Sequence, residues 1–340
     1  MNDYAGIVER TSLVELVERA SGKLKRSGKD WRCACPLHGG DNPTGFTVYQ
    51  EAGHERWKCW TGDCGQGDVL DFVQKWLGFT KEEAYQYLGG ERKVDPQEMA
   101  RLAVERAERI EKALQETIAK ANKALADLRA SRKWLEYHEE LNRSENGRFI
   151  WNSRGVPDVF QELWQLGFCQ DFVYKSDDGL WHSPSLAIPI FDGKSKEPVN
   201  IRHRILNPIN PNDKYRPEKP GLKASPFICD AEHLDLDNIL LVEGEIKSMV
   251  TYVNLDSPKW QVIGILGKKS YHEICEQLKG RKVWVLFDPD ADEQAQDAAN
   301  IIGGARVISL PMKVDDALNS GYLDTQSLRF LLRNAKRNVV

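Results

Sequence analysis

The sequence predicts an α+β multidomain chain: a small cysteine-rich ribbon, a long linking helix, then an α/β core whose partly parallel sheet carries flanking helices. Three observations predict it. Four of the seven cysteines lie between Cys33 and Cys64, with His38 among them. A charged stretch from Asp95 to about Arg132 has helical periodicity. Beyond Trp151, short apolar runs near Ile239, Val262, Val283 and Val307 alternate with polar helical segments, the pattern of strands covered by helices. At 340 residues the chain also exceeds one ordinary core.

In chain order, Ser12-Leu-Val-Glu15 has the form of a capping box and opens a short helix to about Ala20. A compact module follows from about Trp31 to Gly89, with strand-like Phe46-Thr-Val-Tyr49 and Trp57-Lys-Cys59. Its second half reads as helix from Asp68 to Trp76, then a second helix opened by Thr80-Lys-Glu-Glu83. Asp95-Pro-Gln-Glu98 is a strong helix start, with Asp as cap and Pro first. Leu102, Ile110, Leu114, Ile118, Ala121, Leu125 and Leu128 give that helix one face to pack, and at ~1.5 Å per residue it spans about 50 Å, enough for a spacer. An ordinary helix lying across the next domain fits the same pattern. Leu186–Phe191 and Val199–Leu206 then read as strands joined by a Gly/Lys turn. The expected domains are 1–92, 93–145 (the helical linker), 146–236, 237–325, and a C-terminal helix or tail at 326–340.

Composition excludes several classes. Charged residues make up 29% and mean hydropathy is -0.53, and no stretch approaches the ~18 apolar residues of a membrane span. The polar N-terminus does not read as a leader, so a cytoplasmic protein without membrane partners is expected. A net charge of -4 argues against a protein that coats nucleic acid. It leaves room for local basic channels.

Cys35-x2-His38 and Cys59-x4-Cys64 supply three thiolates and an imidazole, the closed donor set of structural Zn²⁺. Cys33 competes for the first position. Cys169, Cys229 and Cys275 are isolated and read as ordinary thiols. Around the ribbon stand Trp31, Arg32, Tyr49, Arg56, Trp57, Lys58 and Trp60. Such aromatic and basic residues hold single strands by stacking and phosphate attraction, so Arg32, Trp57 and Lys58 are candidate template contacts, although Trp and Tyr also fill small cores.

Late in the chain, Asn238-Ile-Leu-Leu-Val-Glu243 and Lys282-Val-Trp-Val-Leu-Phe-Asp288-Pro-Asp290-Ala-Asp292 run from buried strands into clustered acids. Parallel sheets place ligands at such strand ends. Hard carboxylate oxygens there suit Mg²⁺ or Mn²⁺.

These motifs, taken together, resemble the bacterial-type (DnaG-like) primases and their phage and plasmid relatives. Cys35-Pro-Leu-His38, Pro43, Phe46-Thr-Val48, Trp57-Lys-Cys59, Cys64 and Gly67-Asp-Val-Leu-Asp-Phe72 resemble that family's zinc domain. Arg154-Gly155, Leu166-Gly-Phe168, Leu186–Phe191, Asn200-Ile-Arg202 and Lys214-Tyr215 resemble its RNA polymerase core. Val242-Glu-Gly-Glu245 and Phe287-Asp-Pro-Asp290 are similar to the two signatures of its TOPRIM subdomain, here 237–325. The resemblance implies divalent-metal-dependent synthesis of short RNA primers on single-stranded DNA from ribonucleoside triphosphates. It implies Glu243, Asp288 and Asp290 as catalytic groups, with Asp292, Asp315 and Asp316 as further acids for the ion. Arg202, Arg204, Lys214, Arg216 and Lys223 are expected to hold nucleotide and template, Arg202 and Arg204 sharing a strand face. One departure stands out: Lys247 replaces the aspartate the family places four residues after the glutamate.

Gly264-Ile-Leu-Gly-Lys-Lys-Ser270 lacks P-loop spacing, so any replicative helicase is expected to be a separate partner. Rival readings share the acids: a TOPRIM nuclease, a topoisomerase-like enzyme, or a non-catalytic single-strand-binding replication protein.

Overall fold

The computed structural model describes all residues except 1–3, 63, 90, 92–94, 178, 223, 232, 234–235, 267–270 and 337–340. Lys223, the expected boundary at 92 and 93, and most of the Gly264–Ser270 segment therefore lie outside the described residues. The chain divides into two compact units, Met1–Ile118 and Ala119–Val340.

In the first unit, α1 (Tyr4–Arg10) and α2 (Leu13–Ser21) precede a five-stranded antiparallel meander. Its strands are β1 (Lys25–Ser27), β2 (Asp30–Cys33), β3 (Phe46–Glu51), β4 (His54–Cys59) and β5 (Gln66–Gly67). Alternation sends Cys33, Phe46, Val48, Trp57 and Cys59 inward. There Phe46 stacks on Trp57 at 5.4 Å, and Phe72 meets both edge-on. Phe72 comes from α3 (Val69–Leu77), opened by a reciprocal Asp68–Asp71 capping box; α4 (Lys81–Leu88) is opened by the Thr80–Glu83 box. The Ser12 box is half formed: Ser12 accepts from the Glu15 N–H, while the Leu13 N–H donates at 2.6 Å to Glu55. α5 (Pro96–Ser131) begins where Asp95 accepts the Glu98 N–H at 2.8 Å, and Leu102 packs on the first unit's core.

The division between units falls inside α5. Leu128, Tyr137 and Leu141 are buried in the second unit's cores. Arg132, at φ 51°, breaks the helix before α6 (Lys133–Arg143), and α7 (Glu145–Ser153) and α8 (Asp158–Leu163) follow.

The second unit has two sheets. β6 (Gly167–Ser176), β7 (Gly179–Phe191), β8 (Pro198–Ile205) and β9 (Tyr215–Pro217) form an antiparallel meander. The other contains β10 (Phe227–Ile228), β11 (Asn238–Glu243), β12 (Trp260–Ile265), β13 (Lys282–Leu286) and β14 (Arg306–Val307) in the order β10-β12-β11-β13-β14. Its last four strands are parallel and β10 is antiparallel. Interleaved are α9 (Glu245–Leu255), α10 (His272–Gln277), α11 (Asp292–Ile302), α12 (Val314–Asn319) and α13 (Thr325–Asn334). Leu240, Val242, Val262 and Leu286 share one core with Met249, Ala317 and Leu328; Leu241, Ile263 and Val285 share another with Cys275 and Ala298. In the C-terminal segment, Leu328 and Leu332 of α13 are buried, and the Trp284 indole donates to the Leu332 carbonyl at 2.7 Å.

Candidate functional site

In the first unit, the donor atoms of Cys35, His38, Cys59 and Cys64 all lie within 4.8 Å of one another. Zn–S and Zn–N bonds of ~2.3 and ~2.0 Å imply tetrahedral edges of about 3.5–3.8 Å. The observed edges are 3.2 Å (His38 Nδ1 to Cys64), 3.6 Å (His38 Nδ1 to Cys59) and 4.0 Å (Cys35 to Cys64). The four residues fit Zn²⁺. Cys33 is outside the set; burial pushes its thiol up to about 11. A Cβ on Gly40 or Gly62 would fall 2.6 or 2.9 Å from the His38 ring, so glycine at both lets the two turns close on it.

Across the outer face of the ribbon, the register aligns Arg32, Thr47, Lys58 and Gln66. Trp60 continues that face, 62% exposed, with its indole donating to Thr47 at 3.0 Å and Lys58 Nζ 4.1 Å from its ring centroid. Trp57 is a correction: it is 0% exposed and its indole donates to the Asp68 carbonyl, so it cannot stack on a base. Trp60, on the exposed face, can.

In the second unit, β11 and β13 are paired neighbours, and they deliver Glu243 and Asp288 to the same sheet end. Asp288 is buried, Glu243 and Asp315 are partly buried, and Asp290, Asp292 and Asp316 are exposed. Burial and then the charge of Asp288 raise the Glu243 carboxyl above its ordinary value, and burial and then Asp316 raise Asp315. Glu243 Oε2 and Asp315 Oδ1 are buried acceptors without a hydrogen bond, as oxygens awaiting a cation would be.

Asp288 does not fit an ion site. Lys247 Nζ lies 2.5 and 2.6 Å from its two oxygens, and Lys313 Nζ is 3.9 Å away. Asp292 opens α11 and accepts from Ser309 at 3.4 Å. Among the described residues, no three acids bring their oxygens within 4.8 Å of one another.

A basic face adjoins these acids. Arg202 and Arg204 lie over the Tyr215 ring at 5.3 and 5.4 Å, sharing the expected strand face. Arg202 Nε is 3.1 Å from Glu245 Oε1, an ion pair not aligned as a hydrogen bond. Glu245 is 2% exposed, and burial, partly offset by Arg202, raises its carboxyl. Burial and then the charges of Arg204, Lys313, Lys247 and Arg154 lower the Lys214 ammonium. Arg216 does not join them: its register partner is His203, on the other face, and it pairs with Asp213.

Arg154, Lys313, Glu245 and Trp60 were not among the site residues read from sequence. Arg154 had a signal in Gly155: at φ 82° and packed on Asn319, with no room for a Cβ, it fixes the turn before α8 against α12.

Residues 2–102 match the family model described as CHC2 zinc finger. The matched span contains all four converging donors, which supports a structural Zn²⁺ module there. The chain is also similar to the DNA primase of Myxococcus xanthus, 34% identical over 89 residues, covering 26% of this chain and 14% of that protein. It is similar to the DNA primase of Chlamydia trachomatis serovar D, 38% identical over 73 residues, 21% of this chain and 11% of that protein. Among solved structures, the zinc-binding and RNA polymerase domains of the Aquifex aeolicus primase align over 99% of this chain and 86% of that one, at TM-score 0.47 and 18% identity. A DNA primase domain from Pseudomonas aeruginosa aligns over 61% and 78%, at TM-score 0.49 and 15% identity. Among the described residues no helix is long and apolar enough to cross a membrane.

Proposed function

We propose that the chain is a DNA primase, joining ribonucleoside triphosphates into short RNA primers on single-stranded DNA. The observation that carries this is the Arg202–Glu245 ion pair of 3.1 Å, which ties the basic strand β8 to the acidic strand end before α9. Triphosphate and carboxylate chemistry then share one site. Arg202, Arg204 and Lys214, with Arg154, form a cationic surface for phosphates, arginine by its fork and lysine as a point charge. Glu243, held above the ordinary carboxylate range by burial, is suited to take the proton of an attacking hydroxyl. Among the acids, Glu243 and Asp315 have the oxygens that would hold Mg²⁺ or Mn²⁺, which would supply charge neutralisation at the reacting phosphate. The outer face of the zinc finger, with Arg32, Lys58 and Trp60, is the proposed template contact. A separate helicase is the proposed replication partner, and the cytoplasm the proposed compartment.

The test is incubation with Mg²⁺ or Mn²⁺, labelled ribonucleotides and mixed-sequence single-stranded DNA. Short RNA products are expected, abolished by Glu243→Gln. DNA shortened instead of RNA made would replace this reading with a nuclease. Lys247 on Asp288 favours a second reading, a non-catalytic single-strand-binding protein, for which binding without any product is the signature.

A further inference from the structure

We propose that Lys247 is a resident cation of the acidic site: it holds the place on Asp288 that a divalent ion takes in an all-carboxylate site, so Asp288 is not an ion ligand and the pair offers phosphate a fixed positive charge. This rests on the reading that these strand ends are the reaction site.

The contact is two-sided. Nζ lies 2.5 Å from Asp288 Oδ1 and 2.6 Å from Oδ2, so the ammonium stands where an ion binding both oxygens would stand. The Lys247 and Asp288 side chains are only 17% and 9% exposed, so water screens the pair weakly. An ion that took Asp288 would have to expel this ammonium and face Lys313, 3.9 Å from Oδ2. An ammonium has three donors, so holding both oxygens of Asp288 leaves one for a phosphate oxygen.

Local structure alone does not favour a lysine here. Lys247 is in the first turn of α9, where the helix dipole disfavours a positive charge, and its N-cap Gly244 gives no side-chain cap. Carboxylates compensate for this: the charge of Lys247 acts on Glu243, Glu245 and Asp315 as well as contacting Asp288. Gly244, at φ 94°, makes the turn from β11 into α9, and the Lys247 Cε lies 3.9 Å from where a Cβ on it would sit.

Mn²⁺ titration followed by electron paramagnetic resonance tests this on the zinc-loaded full chain, without DNA or nucleotide. Lys247→Met should tighten Mn²⁺ binding about tenfold by freeing Asp288, and Lys247→Asp should do so at least as strongly. Lys247→Arg should bind as the wild type does, and adding Asp288→Asn to Lys247→Met should cancel the gain. A folded Lys247→Met that binds Mn²⁺ no more tightly than wild type overturns the proposal. Should that variant not fold, the charge-neutral double variant Lys247→Gln with Asp288→Asn decides: unchanged Mn²⁺ affinity supports the proposal, and lost affinity overturns it. A merely structural ion pair would move stability and leave Mn²⁺ affinity alone. Because no nucleotide is present, absent primer synthesis would defeat the activity reading without touching these results.

Discussion

Trp57 and Trp60 stand three residues apart and do opposite work. Trp57 points inward from β4 onto Phe46 and Phe72, while Trp60, one residue past the strand, lies on the Lys58 face in solvent. Composition could not separate them, because either indole suits a core or a stacked base. The period-2 alternation of β4 could have: Trp57 shares its parity with the zinc ligand Cys59, and Trp60 shares its parity with Lys58. Trp57→Ala should destabilise the zinc finger by ~3–5 kcal/mol, the usual cost of emptying a large aromatic site. Trp60→Ala should leave stability unchanged and weaken single-stranded DNA binding by ~1–3 kcal/mol, the worth of one stacked base. Fluorescence anisotropy with a labelled oligonucleotide, beside urea unfolding, reads both; tight DNA binding by Trp60→Ala would remove this face from the template path.

The strands of the parallel sheet were legible because they are buried on both sides, and Ile239–Val242 and Val283–Leu286 read as apolar runs without interruption. β6 was not, since Gln170, Asp171 and Lys175 break its pattern and its register with β7 shifts between Cys169 and Phe172. On β8, alternation placed Arg202 and Arg204 together, but the pairing of β9 that sends Arg216 to the other face is a tertiary fact. That other face carries a buried network. His203 is 0% exposed, stacks on Phe172 at 3.7 Å, and bonds Ser185 and Glu218 at 2.9 Å each, while Tyr137 donates to Glu218 at 3.0 Å. Burial lowers the His203 imidazole below its ordinary 6.5. The unfolded chain therefore binds more protons as pH falls through about 6.5, and stability is lost there. Glu218, held below 4.5 by His203 and Tyr137 against its burial, adds a second loss as pH falls below that value. Urea midpoints should drop from pH 7 to pH 5 in the wild type, and His203→Gln should flatten this fall. An equal slope in both proteins would mean that His203 is not the group responsible.

At the scale of the whole chain, the described residues form separate apolar clusters. One gathers Ile7 through Ala84 with Leu102; the others draw on residues from Leu125 onward. The apolar stripe of α5 runs on from Leu102 to Leu128, and only packing shows that its two ends serve different cores. Disjoint cores predict separable unfolding. A structural Zn²⁺ contributes on the order of 10–16 kcal/mol to a small zinc module, comparable to a whole domain's stability of ~5–15 kcal/mol. The first unit has a real aromatic core, but the turns carrying Cys35 and His38, and Cys59 and Cys64, would have a bound Zn²⁺ as their common anchor. Chelation, or Cys59→Ser, should therefore strip hydrogen-exchange protection from β2 through α3 and leave β6 through α13 protected. Thermal denaturation should then show one transition in place of two. Loss of protection throughout the chain on chelation would show that the units fold as one, and full protection of β3 and β4 in zinc-free protein would show that the aromatic core holds the ribbon without its metal.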